Sequence, residues 1–160
     1  MDQKELKIRE KKAKKAFDIL CKSLDEDHWK YSISKDDLMV TYSERGDDLV
    51  MNCKIILDKE RNVFRFLSKI PAEFPETEEA MQAAVACCII NNKLLYGAFD
   101  LNVSKGTIWY RMAYAFRDDV PGKDFFRKLR RLATTVIDKY NDRFEKLKKG
   151  ELKAADIAND

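Results

Sequence analysis

The sequence predicts an α+β domain: one antiparallel sheet with helices packed on it, in the order α-β-β-β-β-α-β-β-α. Apolar residues recur at helical spacing in a first, a middle and a last segment. Between those segments the apolar period falls to two. The links joining the alternating runs are short, which pairs neighbouring strands antiparallel. The 160 residues fit one domain, taken as residues 1–150, and a hydrophobic content of 45% is enough for a core.

Residues 2–26 read as a helix, with Ala13, Phe17, Leu20 and Leu24 on one stripe. Residues 1–12 carry few apolar positions, so that end is expected to project. Tyr31 and Ile33 then alternate with polar residues, and Leu38, Val40 and Tyr42 follow a turn at Lys35-Asp36-Asp37. After the turn at residues 44–48, Leu49, Met51, Cys53, Ile55 and Leu57 mark a longer strand. Residues 58–62 turn again into a strand at 63–67. Pro71 and Pro75 are expected to end the sheet, because proline has no N–H for a ladder. A helix is expected from Glu76 or Thr77, with Thr77 as its cap and acidic residues in the first turn. Its second half, residues 84–90, is apolar nearly all round, which predicts burial on most sides.

A hairpin follows, with Phe99, Leu101 and Val103 before Ser104-Lys105-Gly106, and Ile108, Tyr110, Met112, Tyr114 and Phe116 after it. A loop from Asp118 to Gly122 leads to a last helix over 123–149, stopped by Gly150. Residues 151–160 are expected to form a mobile tail. The predicted core includes Leu38, Val40, Met51, Ile55, Phe66, Phe99, Leu101, Ile108, Tyr110, Val136 and Tyr140.

Composition argues against several kinds of chemistry. Thirty-one Lys and Arg face 28 Asp and Glu, and a net +3 is low for a dedicated nucleic-acid binder. No apolar run reaches the ~20 residues of a membrane span, and the start has no secretory hydrophobic segment, so a cytoplasmic protein is expected. Cys21, Cys53, Cys87 and Cys88 form no CxxC pair and His28 is the only histidine, which predicts reduced thiols and no metal site. Asp100 to Arg111 imitates a calcium loop, but its sixth position is Lys105 and its twelfth is Arg111, where an EF-hand needs glycine and glutamate. Phosphate-cradling glycine loops and nucleophile elbows do not occur. The pairs Asp36-Asp37, Asp47-Asp48 and Glu78-Glu79 read as caps and solubilising charges. Neither a catalytic residue nor a cofactor is therefore predicted. The basic last helix, with Arg127, Arg130, Arg131 and Arg143 among its cations, is the segment that could meet nucleic acid or an acidic partner. Interleaved Asp124, Asp138, Asp142 and Glu145 favour a solvated face instead.

Several short motifs occur in a characteristic order. They are Gly46-Asp47-Asp48-Leu49, Phe64-Arg65-Phe66, Pro71, Phe74-Pro75, the apolar 84–90 segment with Asn91-Asn92, Gly97-Ala98-Phe99-Asp100, Tyr110-Arg111, and Asp138-Lys139-Tyr140-Asn141-Asp142. Over residues 15–150 the chain resembles the YbjN-type domain. That resemblance implies a fold similar to type III secretion chaperones, a role as a bacterial sensory transduction regulator, and a non-enzymatic homodimer that binds another protein. It implies no catalytic residue.

The strand positions out of phase with the core are Val50, Lys54, Ile56, Arg65, Leu67, Trp109 and Arg111. If helices cover only the other face, these residues form a partner-binding surface of mixed apolar and cationic character. A protein-interaction module is the leading reading. Binding through the basic last helix is the second, and a small carboxylate or thiol enzyme the third.

Overall fold

A computed structural model describes residues 2–117 and 119–159. Asp118, where the loop before the last helix was expected to begin, lies outside them, as do Met1 and Asp160 at the ends of the predicted projecting helix and tail. The elements are α1 (Gln3–Glu26), β1 (Tyr31–Ser34), β2 (Met39–Arg45), β3 (Val50–Asp58), β4 (Val63–Glu73), α2 (Thr77–Lys93), β5 (Ala98–Asn102), β6 (Thr107–Ala115) and α3 (Lys123–Lys148). The six strands form one antiparallel sheet in the order β1-β2-β3-β4-β6-β5. This is the α+β order that the alternation and the short links predict.

Pairing register explains how one sheet face becomes the core. Val40, Ile55, Phe66 and Met112 form one cross-strand row, and Tyr42, Cys53, Ser68, Tyr110 and Phe99 form the next. All of them are buried. The helices supply the covering layer: Phe126 packs on Phe64 with ring centres 5.4 Å apart, and Tyr140 and Phe144 pack edge-on against Phe99. Ala13, Ala16, Phe17, Leu20 and Leu24 form the buried stripe of α1.

The end of α1 fixes where that layer sits. His28 takes a left-handed φ of 57°, and its N–H and that of Trp29 bond back to Asp25 and Leu24. This closing motif, usually built on glycine, turns Trp29 back over the sheet, edge-on to Tyr42 at 5.6 Å. Asp27 then meets α3. Arg127 Nε donates to both Asp27 carboxylate oxygens at 3.0 and 3.1 Å, and Arg127 also bonds Glu26 and Asp124. Lys123 pairs with Glu26 as well. The Arg127 guanidinium, helped by the nearby Arg130 and Arg131, holds the Asp27 carboxyl below the usual carboxylate range. One turn further along α3, Arg130 is buried, with its guanidinium 4.2 Å from the Trp29 ring centre and an ion pair to Asp27 at 3.7 Å. Aromatic faces offset part of the cost of burying that charge.

Four expectations are corrected. The sheet does not stop before Pro71. β4 continues to Glu73 because its register against β6 shifts between Lys69 and Glu73, and its pairing with β3 has ended at Ser68, so no ladder bond requires a proline N–H. Residues 151–159 are packed rather than mobile. A 3-10 turn at Ala154–Asp156 leads to buried Ile157 and Ala158, Lys93 Nζ donates to the Ala158 carbonyl at 2.7 Å, and Arg143 holds the Ile157 carbonyl at 2.9 Å. Gly150 makes this return possible, since its φ of 72° ends α3 and points the chain back. The α1 end is exposed yet tethered: Arg9 and Lys12 donate to the carbonyls of Glu60 and Arg117. Last, α2 is buried on one side only. It lies along edge strand β5, where Asn91 caps the Phe99 N–H and carbonyl at 2.8 and 3.0 Å in place of a further strand. Its Ala80, Ala83, Ala86, Cys87 and Ile90 are buried, whereas Met81 and Val85 are 64% and 49% exposed. Smaller differences are a cap at Glu76 rather than Thr77, and half-buried Leu101 and Val136.

Two outcomes follow from this packing. Ile108 is fully buried, so Ile108→Ala should cost roughly 2–5 kcal/mol in urea melts by leaving a cavity; a loss below about 0.5 kcal/mol would mean that the site is not core. Glu44 is buried on the core face, and desolvation pushes its carboxyl pKa up despite nearby Arg130, with Thr134 and Asp138 also facing it. A carboxyl whose folded pKa is raised favours folding in acid, and that contribution disappears as pH rises through the raised value. Glu44→Gln should therefore stabilise the protein more at pH 8 than at pH 4, and denaturant melts at both pH values check it. Greater destabilisation at pH 8 would mean that the ionised pair with Arg130 outweighs burial.

Candidate interaction surface

Among the described residues no helix packs on the opposite sheet face. Register places Ile56 beside Arg65, Lys54 beside Leu67, and Leu67 beside Arg111, while Trp109 lies between Lys69 and Asp100. Val50 lies on the same side of β3, so all seven residues selected from the sequence share one face. Val50 is 59% and Trp109 36% exposed; Arg65 and Arg111 are exposed, and Lys54, Ile56 and Leu67 are half-buried. Together they present three aliphatic side chains, three cations and one indole.

Charge on this face is only partly neutralised. Arg111 Nε pairs with Asp100 at 2.5 Å, which raises the guanidinium pKa further, and Lys69 pairs with Glu73. Lys54 and Arg65 have no ion-pair partner among the described residues. Between β2, β3 and Trp109 lies a shallow groove of about 630 Å³, edged by Ser32, Thr41, Asn52, Lys54 and Lys69. Its chemistry suits an apolar segment carrying acidic groups.

The other candidates read from the sequence end up elsewhere. The basic last helix uses four of its cations internally. Lys123, Arg127 and Arg130 bind the acids at the end of α1, and Arg143 binds carbonyls of the packed tail. Asp138 turns back to accept from the Asp47 N–H at 3.3 Å, so the Gly46-Asp47-Asp48 turn and the Asp138 segment meet although 91 residues separate them. Burial pushes the Cys53 and Cys87 thiols up to about 12 and raises Cys21 as well, which leaves these three poor nucleophiles at neutral pH. Cys88 is exposed on α2. Among the described residues no three His, Cys, Asp or Glu side chains are grouped to hold a metal ion, and no helix is long and apolar enough to cross a membrane.

Two features were not foreseen. In sequence Arg130 looks like one more surface cation; only the return of Trp29 shows why it is buried. Asn91 looks like an element boundary, and its role as cap of the β5 edge depends on where α2 lies.

No protein-family model matches the sequence, and neither does any curated protein. Among solved structures, the crystal structure of YbjN from E. coli, a candidate transcription regulator, is similar with a TM-score of 0.55 and 18% identity, over 78% of this chain and 90% of that one. The strand order, the three helices and this similarity agree that the chain has a YbjN-like fold.

Proposed function

We propose that this protein is a non-enzymatic regulatory or chaperone-like interaction module of the bacterial cytoplasm that offers its open sheet face to a protein partner. The observation that carries this reading is the uncovered face itself: Trp109 and Arg111, flanked by Ile56, Leu67, Lys54 and Arg65, lie on a rigid sheet whose other side is fully packed. Tryptophan and arginine dominate interaction hot spots, and a rigid sheet needs little ordering on binding. Unpaired Lys54 and Arg65 favour an acidic partner surface. The similar YbjN structure is of a candidate transcription regulator, which is compatible with a regulatory role. Internal pairing of Lys123, Arg127, Arg130 and Arg143 makes the basic last helix a weaker support for nucleic-acid binding. The raised thiols and the ungrouped carboxylates favour binding over catalysis.

A second reading, self-association, is favoured by the outer stripe of α2. Met81, Val85 and Cys88 are exposed at helical spacing, with acidic Glu78 and Glu79 at one end and Lys93 at the other. Val85 is the central residue of this helix. A two-fold antiparallel pair would place Val85 on Val85, Met81 near Cys88, and Glu78 near Lys93 of the second copy.

Changing Trp109 and Arg111 to Ala together should abolish partner capture while leaving molar mass and melting temperature unchanged, as tested by affinity capture, light scattering and thermal melts. Loss of the fold or of the dimer would make those residues structural. In a Cys88→Ser background, Val85→Cys should give a disulfide-linked dimer under mild oxidation, whereas a monomer at every concentration by light scattering would rule out self-association.

A further inference from the structure

The edge of β6 is open where β5 ends. Asn91 occupies the Phe99 N–H and carbonyl, so these groups point away from β6, and Phe99 faces Tyr110 without exchanging ladder bonds. By alternation, Tyr110, Met112 and Tyr114 bond toward β4, while Arg111, Ala113 and Ala115 point their N–H and carbonyl groups toward β5. The Phe116 N–H agrees with this phase, donating to the Asn62 carbonyl at the end of β4 at 2.9 Å. β5 pairs only as far as Ala98 with Arg111. Gly97, at φ 72°, turns the chain out of the strand, and the Tyr96 carbonyl accepts from Tyr110 Oη at 3.0 Å instead of continuing along β6. Among the described residues the N–H and carbonyl groups of Ala113 and Ala115 thus have no strand partner, and both residues are exposed.

Beside this edge is an apolar pocket of about 310 Å³, lined by Tyr96, Met112, Tyr114, Phe125, Leu129 and Leu132. Lys128 is at its rim and has no ion pair among the described residues. Open strand edges are normally paired, covered or charged; this one has an apolar pocket on its core side and a cation next to it.

We propose that β6 receives an extended peptide segment as an added strand. Its backbone bonds Ala113 and Ala115, an apolar side chain fills the pocket, and an acidic side chain two residues away meets Lys128. Backbone pairing supplies affinity and alternate side chains supply selectivity in this mode of binding. The inference rests on the reading of the protein as an interaction module but uses a different surface from the open sheet face.

The probe is the blocked peptide acetyl-STLTDTS-amide, titrated into the full chain and followed by amide NMR. The Ala113 and Ala115 amide signals should shift on binding. Leu132→Trp, which fills the pocket, and Ala113→Pro, which removes an N–H that no strand uses, should each fold and weaken binding by about tenfold or more. Replacing the peptide leucine by alanine should do the same. Absence of binding, binding that ignores all three changes, or phenylacetate alone occupying the pocket while the peptide does not, would overturn the proposal. So would unfolding of Ala113→Pro, because it would place that N–H inside the ladder. None of these results touches the Trp109–Arg111 surface, so failure here and failure of the broader reading are told apart.

Discussion

The contact between Asp27 and the two arginines of α3 joins the two long helices whose apolar stripes cover one side of the sheet. With it, the end of α1, Trp29 and the start of α3 form one unit lying over β2, with Arg130 between an aromatic ring and a carboxylate. Both long helices then occupy the same face. The sheet is left with one dry side and one wet side, and the Trp109–Arg111 surface lies on the wet side.

A buried arginine is an expensive way to hold two helices together. Well-packed apolar residues do so at least as strongly, and the advantage of a charged contact is positional. The guanidinium fork of Arg127 accepts one arrangement of Glu26, Asp27 and Asp124. The same contact withdraws cations from the last helix. Lys123, Arg127 and Arg130 thereby serve as internal scaffold, while Lys128, Arg131 and Lys146 stay exposed on the helix and Lys54 and Arg65 keep their charge on the open sheet face.

Most of the fold was legible because periodicity reports burial. The alternation of Met51, Cys53, Ile55 and Leu57 could belong only to a strand with one buried face, and the stripe from Phe126 to Leu147 only to a helix over it. The out-of-phase set from Val50 to Arg111 was legible for the same reason, since register carries side-chain phase from strand to strand. What escaped depended on contacts between distant residues. Pro71 is tolerated because a neighbouring strand has already ended. The chain after Gly150 is ordered because Ile157 finds an apolar site near α2. His28 in a left-handed turn, Asn91 on a strand edge and the notch beside Ala113 have no sequence period at all; each exists because two elements meet or fail to meet. The apolar second half of α2 signalled contact but could not say with what, and its outer stripe remains exposed in the single chain.

α1 and α3 cover one sheet face and leave the other bare. Hydroxyl-radical footprinting of the free protein across a concentration series tests this arrangement. Trp109 and Leu67 should label as surface residues at every concentration, Phe66 and Tyr110 should stay protected, and Met81 should become protected as concentration rises. Protection of Trp109 and Leu67 equal to that of Phe66 would contradict it, because the sheet would then have no open face.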